Sequence, residues 1–118
     1  MDGCAYGITL GGDHSIYIRD CQERIYHYSE KTHGWKRFGG TQKVYNLAAD
    51  HDGRLWIITK EKKVMRWDGE ESQWEDMGLT GAQYIAAGAH DQVYALASPG
   101  AQNDAQTIYK WTSGNKWI

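Results

Sequence analysis

Proline, phenylalanine and cysteine are almost absent from this sequence, since its 118 residues contain one Pro, one Phe and two Cys. A single Pro argues against a disordered linker or a Pro-rich recognition tail. No apolar run approaches the ~20 residues that a transmembrane helix needs. The N-terminus, MDGCAYGITLGG, lacks the basic start and the leucine-rich stretch of a signal peptide. The cytoplasm is therefore the default compartment, unless a leader has been removed.

An excess of either charge is also lacking, because the sequence has 13 Lys and Arg residues and 15 Asp and Glu residues. The net charge of −2 gives no electrostatic footprint for nucleic acid or for an anionic membrane. Two cysteines, Cys4 and Cys21, do not form a disulfide framework. Either one bridge joins them or both are ordinary thiols, and we favour the thiols.

Aromatic residues are plentiful, with six Trp and eight Tyr alongside 14 Gly. The stretch 44–78 reads VYNLAADHDGRLWIITKEKKVMRWDGEESQWEDMG and alternates short apolar runs with polar turns. Runs of this length, rich in Val, Ile, Trp and Tyr, are typical of antiparallel strands. We predict four strands here, at 44–49, 54–59, 63–67 and 73–77. Helical periodicity is absent, so the predicted fold class is all-β.

The same pattern occurs three times along the chain, which makes the internal repeat the main organising feature. Tyr17, Trp56 and Tyr94 occupy one repeat position, 39 and then 38 residues apart. The repeats predict one segment of three four-stranded antiparallel units, at about 4–40, 43–79 and 82–118. Strands that are apolar on both faces suit a sheet stacked between two neighbouring sheets, as in a β-propeller blade. Blade-to-blade packing would use the recurring aromatic residues, which are Tyr17, Trp56, Tyr94, Tyr28, Trp67, Trp111, Trp35, Trp74 and Trp117.

The middle copy resembles a tectonin-type β-propeller repeat in the order of its small, aliphatic, Asp-Gly and Trp positions. The matching residues are Asp52, Gly53, Leu55, Trp56, Val64, Arg66, Trp67, Asp68, Gly69, Trp74 and Gly78. This resemblance implies a six-bladed propeller that binds carbohydrate, lipid headgroups or proteins and has no enzymatic activity. The segment DGRLWIIT also looks like the propeller repeats of bacterial two-component regulators. WD-repeat and kelch signatures do not fit, because the Gly-His and paired-Gly motifs are missing.

Three blades cannot close a ring, because propellers hold at least four. An open arc would leave two apolar blade faces exposed to water. We therefore expect half of a six-bladed propeller, which is completed either by dimerisation or by a longer parent chain.

Residues that could carry catalysis or bind a metal show no convincing arrangement. Asp-His pairs recur in the turn between the first two strands of each copy, at residues 13–14, 51–52 and 90–91. Turns on successive blades are splayed around a ring, so we read these residues as turn formers and predict no metal site. No nucleophile elbow, phosphate loop or zinc-protease helix motif is present. We predict no enzyme activity, no catalytic residues and no cofactor.

A binding surface on such a scaffold would be built by its loops. The loops that follow the second and fourth strands of each copy are expected on one face of the propeller. Their candidate ligand-binding residues are Gln42, Lys43, Lys62, Gln83, Gln102, Asn103 and Asp104. The leading hypothesis is a lectin-like binding module for carbohydrate or protein ligands. The alternatives are a structural subunit that completes a propeller in a larger assembly, and the sensor propeller of a two-component-type regulator.

Overall fold

The computed structural model describes residues 4–69, 72–88, 92–98, 107–112 and 116–118. These residues form twelve strands, which are β1 (Ala5–Leu10), β2 (Ile16–Asp20), β3 (Ile25–Ser29), β4 (Gly34–Phe38), β5 (Val44–Ala49), β6 (Leu55–Thr59), β7 (Val64–Asp68), β8 (Gln73–Asp76), β9 (Ala82–Ala87), β10 (Val93–Ala97), β11 (Thr107–Thr112) and β12 (Lys116–Trp117). Within the described residues, no helix is long and apolar enough to cross a membrane.

The strands pair into three sheets of four, and neighbours in sequence are neighbours in each sheet. We call them the first sheet (β1–β4), the second sheet (β5–β8) and the third sheet (β9–β12). Every pairing is antiparallel. The all-β prediction with three four-stranded antiparallel units is thus confirmed. In the second sheet the predicted strand ends differ from the observed ones by at most one residue.

The second sheet is buried on both faces, as β6 shows most clearly. Leu55 and Ile57 point into a core shared with the first sheet. Trp56 and Ile58, which alternate with them, point into a core shared with the third sheet. Because successive side chains of a strand point to opposite faces, an unbroken apolar run is what a doubly covered strand requires.

The first strands of the three sheets lie side by side, since β1 contacts β5 and β5 contacts β9. Small residues make this close approach feasible. Gly12 N–H donates to the carbonyl of Asp50 at 3.1 Å, and a Cβ on Gly12 would overlap the backbone of His51. The edges β1, β5 and β9 therefore form the inside of an arc, and the fourth strands form its outside.

The expectation of two free thiols is wrong, because Cys4 and Cys21 form a disulfide with a Cα–Cα distance of 5.7 Å. The physical reason is the pairing of β1 with β2. Ala5 lies opposite Asp20, so the residue before Ala5 and the residue after Asp20 are brought together. The bridge ties the start of the innermost strand to the turn between β2 and β3.

Candidate functional site

The three inner strands share an irregularity at the same end of the arc. Pairing shifts by one residue at Tyr6 in β1, at Tyr45 in β5 and at Gln83 in β9, which marks a β-bulge in each. A bulge leaves one residue without a partner and turns its side chain out of the regular pleat. The repeat therefore places three redirected side chains at one end of the inner strands.

These bulges surround a cavity of about 250 Å³ to which all three sheets contribute. Its lining residues are Tyr6, Gly7, Arg19, Tyr45, Asn46, Leu47, Gln83 and Tyr84. We call it the axial cavity. Three tyrosines and two amide side chains give it both flat apolar surfaces and hydrogen-bonding groups.

Two cationic side chains lie on the tyrosine rings at the axial cavity. Arg19 donates from Nη1 to the carbonyl of Tyr45 at 2.6 Å, and its guanidinium lies 5.5 Å from the ring centre of Tyr6. Lys62 places Nζ 3.0 Å from the ring centre of Tyr45. Such contacts stabilise cations through the negative face of the ring. They hold the tyrosines in place and give the cavity rim positive charge.

The structure brings only part of the predicted ligand-binding set to this cavity. Gln83 lines it, and Lys62 lies over the ring of Tyr45. Gln42 donates to the carbonyl of Lys43 at 2.9 Å, and Lys43 Nζ donates to the carbonyl of Gln22 at 3.0 Å, so this pair secures the loop before β5. The remaining three predicted residues, Gln102, Asn103 and Asp104, lie outside the described part of the chain.

Sequence reasoning missed Tyr6, Arg19, Tyr45 and Tyr84. A signal for two of them was available, because Tyr6 and Tyr45 are 39 residues apart, which is the repeat interval between the first two copies, whereas the equivalent position in the third copy is Gln83. Arg19 has no such signal, since it reaches the cavity only through its pairing with Gly7 in β1.

Asp20 fixes the turn next to the disulfide. Its Oδ1 accepts from the backbone N–H groups of Gln22 and Arg24 at 3.0 and 2.8 Å, and its Oδ2 accepts from Arg24 Nε at 2.6 Å. Desolvation by burial raises the pKa of Asp20, but the hydrogen bonds and the charge of Arg24 outweigh it and hold the pKa below its ordinary value. The carboxylate thus stays ionised at neutral pH and holds the turn between β2 and β3.

The recurring aromatics of the third and fourth strands form one edge-to-face pair in each sheet. Ring centres are 5.2 Å apart for Tyr28 and Trp35, 4.9 Å for Trp67 and Trp74, and 5.2 Å for Trp111 and Trp117. Edge-to-face packing at this distance adds stability beyond the burial of area.

Two of these tryptophans also connect neighbouring sheets. Trp74 Nε1 donates to the carbonyl of Gly39 at 3.1 Å, at the end of the first sheet. Trp117 Nε1 donates to the carbonyl of Met77 at 2.8 Å, at the end of the second sheet. Each sheet is thus joined to the one before it through the fourth strand.

The recurring aromatics of the second strands differ in burial. Tyr17 and Trp56 are buried, with Tyr17 directing its hydroxyl to the carbonyl of Gly53 at 3.4 Å and Trp56 donating to Asp50 Oδ2 at 3.0 Å. Tyr94, on the far face of the third sheet, is exposed, and Lys110 lies over its ring. Its exposure reflects position, because none of the three described sheets covers that face.

No protein-family model and no curated protein matches the sequence. Solved structures do match. A structure of U3-55K superposes with a TM-score of 0.66 at 15% identity, over 94% of this chain and 35% of that one. The WD40 repeats of RRP9 give a TM-score of 0.64 at 12% identity, over 94% of this chain and 34% of that one. The chain has the β-propeller fold.

Propellers with other chemistry share the same arrangement of sheets. A catalytically inactive virginiamycin B lyase from Staphylococcus aureus gives a TM-score of 0.60 at 21% identity, over 94% of this chain and 39% of that one. At such identities the likeness shows the fold alone. The chain spans between a third and two fifths of the length of these three structures.

Proposed function

We propose that the chain is a non-enzymatic binding module that takes its ligand at the axial cavity. The observation that carries this proposal is the set of three bulges, which directs Tyr6, Tyr45 and Gln83 to one cavity. Ligands of propellers and other rigid scaffolds bind where irregular segments meet a fixed framework. The disulfide and the Asp20 turn supply that rigidity at one side.

A carbohydrate is the ligand class that this lining suits best, in keeping with the tectonin resemblance. Tyrosine rings offer flat faces for the C–H side of a sugar ring, and the amides of Asn46 and Gln83 offer donors and acceptors for hydroxyls. Arg19 and Lys62 favour a sugar that carries an acidic group. A protein segment with an acidic side chain is the alternative ligand.

The test is a glycan array followed by calorimetry on the best ligand. We expect Tyr45→Ala to weaken binding at least tenfold, because it removes an aromatic ring that lines the cavity and on which Lys62 packs. Lys36→Ala, on the outer strand β4, is the matched control and keeps full affinity. Arrays that stay blank while an acidic peptide library binds would move the proposal from carbohydrate to protein ligands. Blank results from both would refute it.

A second candidate function, an interaction subunit that completes a propeller with a partner, is favoured by a separate observation. The two outward sheet faces expose large apolar side chains, which are Ile8, Leu10, Tyr84, Tyr94 and Ile108. Soluble monomers rarely expose contiguous apolar patches of this kind unless a partner covers them.

The cell compartment in which the chain acts decides whether the bridge between Cys4 and Cys21 forms. Disulfides are rare in the cytosol, where thiols are kept reduced. We propose that the bridge between Cys4 and Cys21 forms in an oxidising compartment, and that both residues are thiols if the chain acts in the cytoplasm. Alkylation and mass measurement of protein taken directly from cells distinguishes the two states.

A further inference from the structure

The outer face of the first sheet is built like an internal face. Ile8 in β1 is 68% exposed. Its repeat equivalents, Leu47 in β5 and Ile85 in β9, are each 7% exposed, because a preceding sheet covers them. The chain thus places an aliphatic residue at this position in every sheet, although only two of the three positions are covered.

The far face of the third sheet also exposes an aliphatic residue whose repeat equivalents are buried. Ile108 in β11 is 66% exposed, whereas its equivalents Ile25 and Val64 are fully buried against a following sheet. Beside it lies Tyr94, the equivalent of the buried Tyr17. The Tyr94–Ile108 pair therefore repeats the Tyr17–Ile25 pair that the first sheet presents to the second.

These two faces are complementary to each other. In the contact between the first and second sheets, Tyr17 and Ile25 share a core with Leu47 and Ile57. The far face of the third sheet carries the equivalents of the first two residues. The outer face of the first sheet carries Ile8, the equivalent of Leu47. An internal contact of known geometry is therefore available between the two ends.

We propose that a second copy of this chain covers both faces, so that the third sheet of each copy packs on the first sheet of the other. This rests on the second candidate function above. Propellers hold four to eight blades, so two copies make a ring of six, whereas three copies would need nine. Both contacts are related by one two-fold axis, which closes the assembly.

Backbone and indole donors follow the same direction. The first residue of each inner strand donates to a turn of the preceding sheet, as Val44 N–H does to the carbonyl of Glu23 and Ala82 N–H to that of Lys62, both at 3.0 Å. The corresponding backbone donor of the first sheet is Ala5 N–H, which in the closed ring is directed toward the third sheet of the second copy.

Closure also completes the axial cavity. A ring of six sheets places the bulged residues of both copies around one axis, so that tyrosines of the partner enclose the open side of the cavity. The ligand site of the first candidate function is then shared by the two copies.

Light scattering on a size-exclusion column tests the assembly directly. The chain has a mass of 13.4 kDa, so the dimer is expected at twice that value. Ile8→Asp and Ile108→Asp each alter both contacts of a two-fold dimer. A tenfold weakening at each contact multiplies to about 100-fold in the dimer dissociation constant. Both residues are exposed in a single chain, so the variants keep the wild-type circular dichroism. Lys31→Asp, in an exposed turn, is the matched charge control and stays dimeric.

Cross-linking tests the direction of packing. A chain carrying Ile8→Cys is mixed with a chain carrying Ile108→Cys, with the native bridge intact, and a short bis-maleimide is added. Head-to-tail packing gives a covalent dimer from the mixture and none from either variant alone. A covalent dimer from one variant alone would mean that like faces meet, which overturns the proposal. A folded 13.4 kDa monomer that unfolds cooperatively at micromolar concentration overturns it as well.

The binding proposal is measured separately and fails separately. A dimer that binds neither glycan nor peptide refutes the axial ligand site and leaves closure standing. A monomer that binds ligand refutes closure and leaves the ligand site standing.

Discussion

Replacement of Trp56 by alanine probes the packing between the second and third sheets. The side chain is 1% exposed. Its ring meets Trp111 and Trp117 edge to face, with centres 5.7 and 6.1 Å away, and Arg66 lies over it at 5.4 Å. Its indole also donates to Asp50, which is held in addition by Arg54. The substitution therefore opens a cavity in the larger of the two cores.

The expected loss in the free energy of unfolding is ~3–5 kcal/mol, as for other buried Trp or Phe side chains cut to alanine. That loss is a large share of the roughly 5–15 kcal/mol that stabilises a typical domain. Trp56→Phe keeps a ring in the core but removes the hydrogen bond to Asp50, so we expect about 1–2 kcal/mol.

Urea unfolding followed by far-ultraviolet circular dichroism is the suitable assay, because each variant lacks one of the six tryptophans and its fluorescence signal therefore differs from that of wild type. Midpoints at an unchanged slope report the change in stability. Lys36→Ala serves as the exposed control and should fall within about 0.5 kcal/mol of wild type. A loss below about 1 kcal/mol for Trp56→Ala would refute the packing described here, since no buried Trp in a close-packed core is that dispensable.

Three further changes test separate parts of the fold. Gly12→Ala should lower the free energy of unfolding by ~1–3 kcal/mol, because the added Cβ overlaps the backbone of His51. Gly69→Ala is the control and should leave it unchanged, because a Cβ there meets nothing within 4 Å. The urea midpoints of the two variants measure the difference. The disulfide joins two cysteines that are 17 residues apart, so its reduction should lower the free energy of unfolding by about 3 kcal/mol. Thermal melts with and without reductant measure this loss. Asp20→Asn should lower stability at neutral pH. Because the folded-state pKa of Asp20 is depressed, its contribution is full above ~3.9 and is lost as the pH falls through the folded pKa. The wild-type and variant stabilities should therefore converge in acid, and parallel pH profiles would contradict this account.

The sheets could be predicted from the sequence because each strand carries its own local signal. β6 is an unbroken run of Leu, Trp and Ile between polar turns. Such a run indicates burial on both faces, even when the sheets that pack against it are not known. The Cys4–Cys21 bridge could not be predicted in the same way. It depends on the register of β1 against β2, and a bulge at Tyr6 shifts that register by one residue.

The sequence analysis did not predict the axial cavity, and of its candidate residues only Lys62 and Gln83 lie at it. Both were candidates because the sequence analysis placed them in loops, where polar residues are conspicuous, although Gln83 lies in β9. Tyr45 belongs to a strand, where an aromatic residue looks like a core residue, and only the bulge turns it toward the cavity. Its orientation depends on the β-bulge, and no residue type in the sequence marks the position of that bulge.

The indole hydrogen bonds of Trp74 and Trp117 give the chain a direction. Each donor lies in the last strand of its sheet and reaches back to a carbonyl at the end of the sheet before it. During synthesis, when domains assemble from the N-terminus, a finished sheet therefore waits for the next ~40 residues to emerge before its outer edge is fastened. The outer edge of the first sheet is thus fastened only when β8 is in place, and that of the second sheet only when β12 is in place.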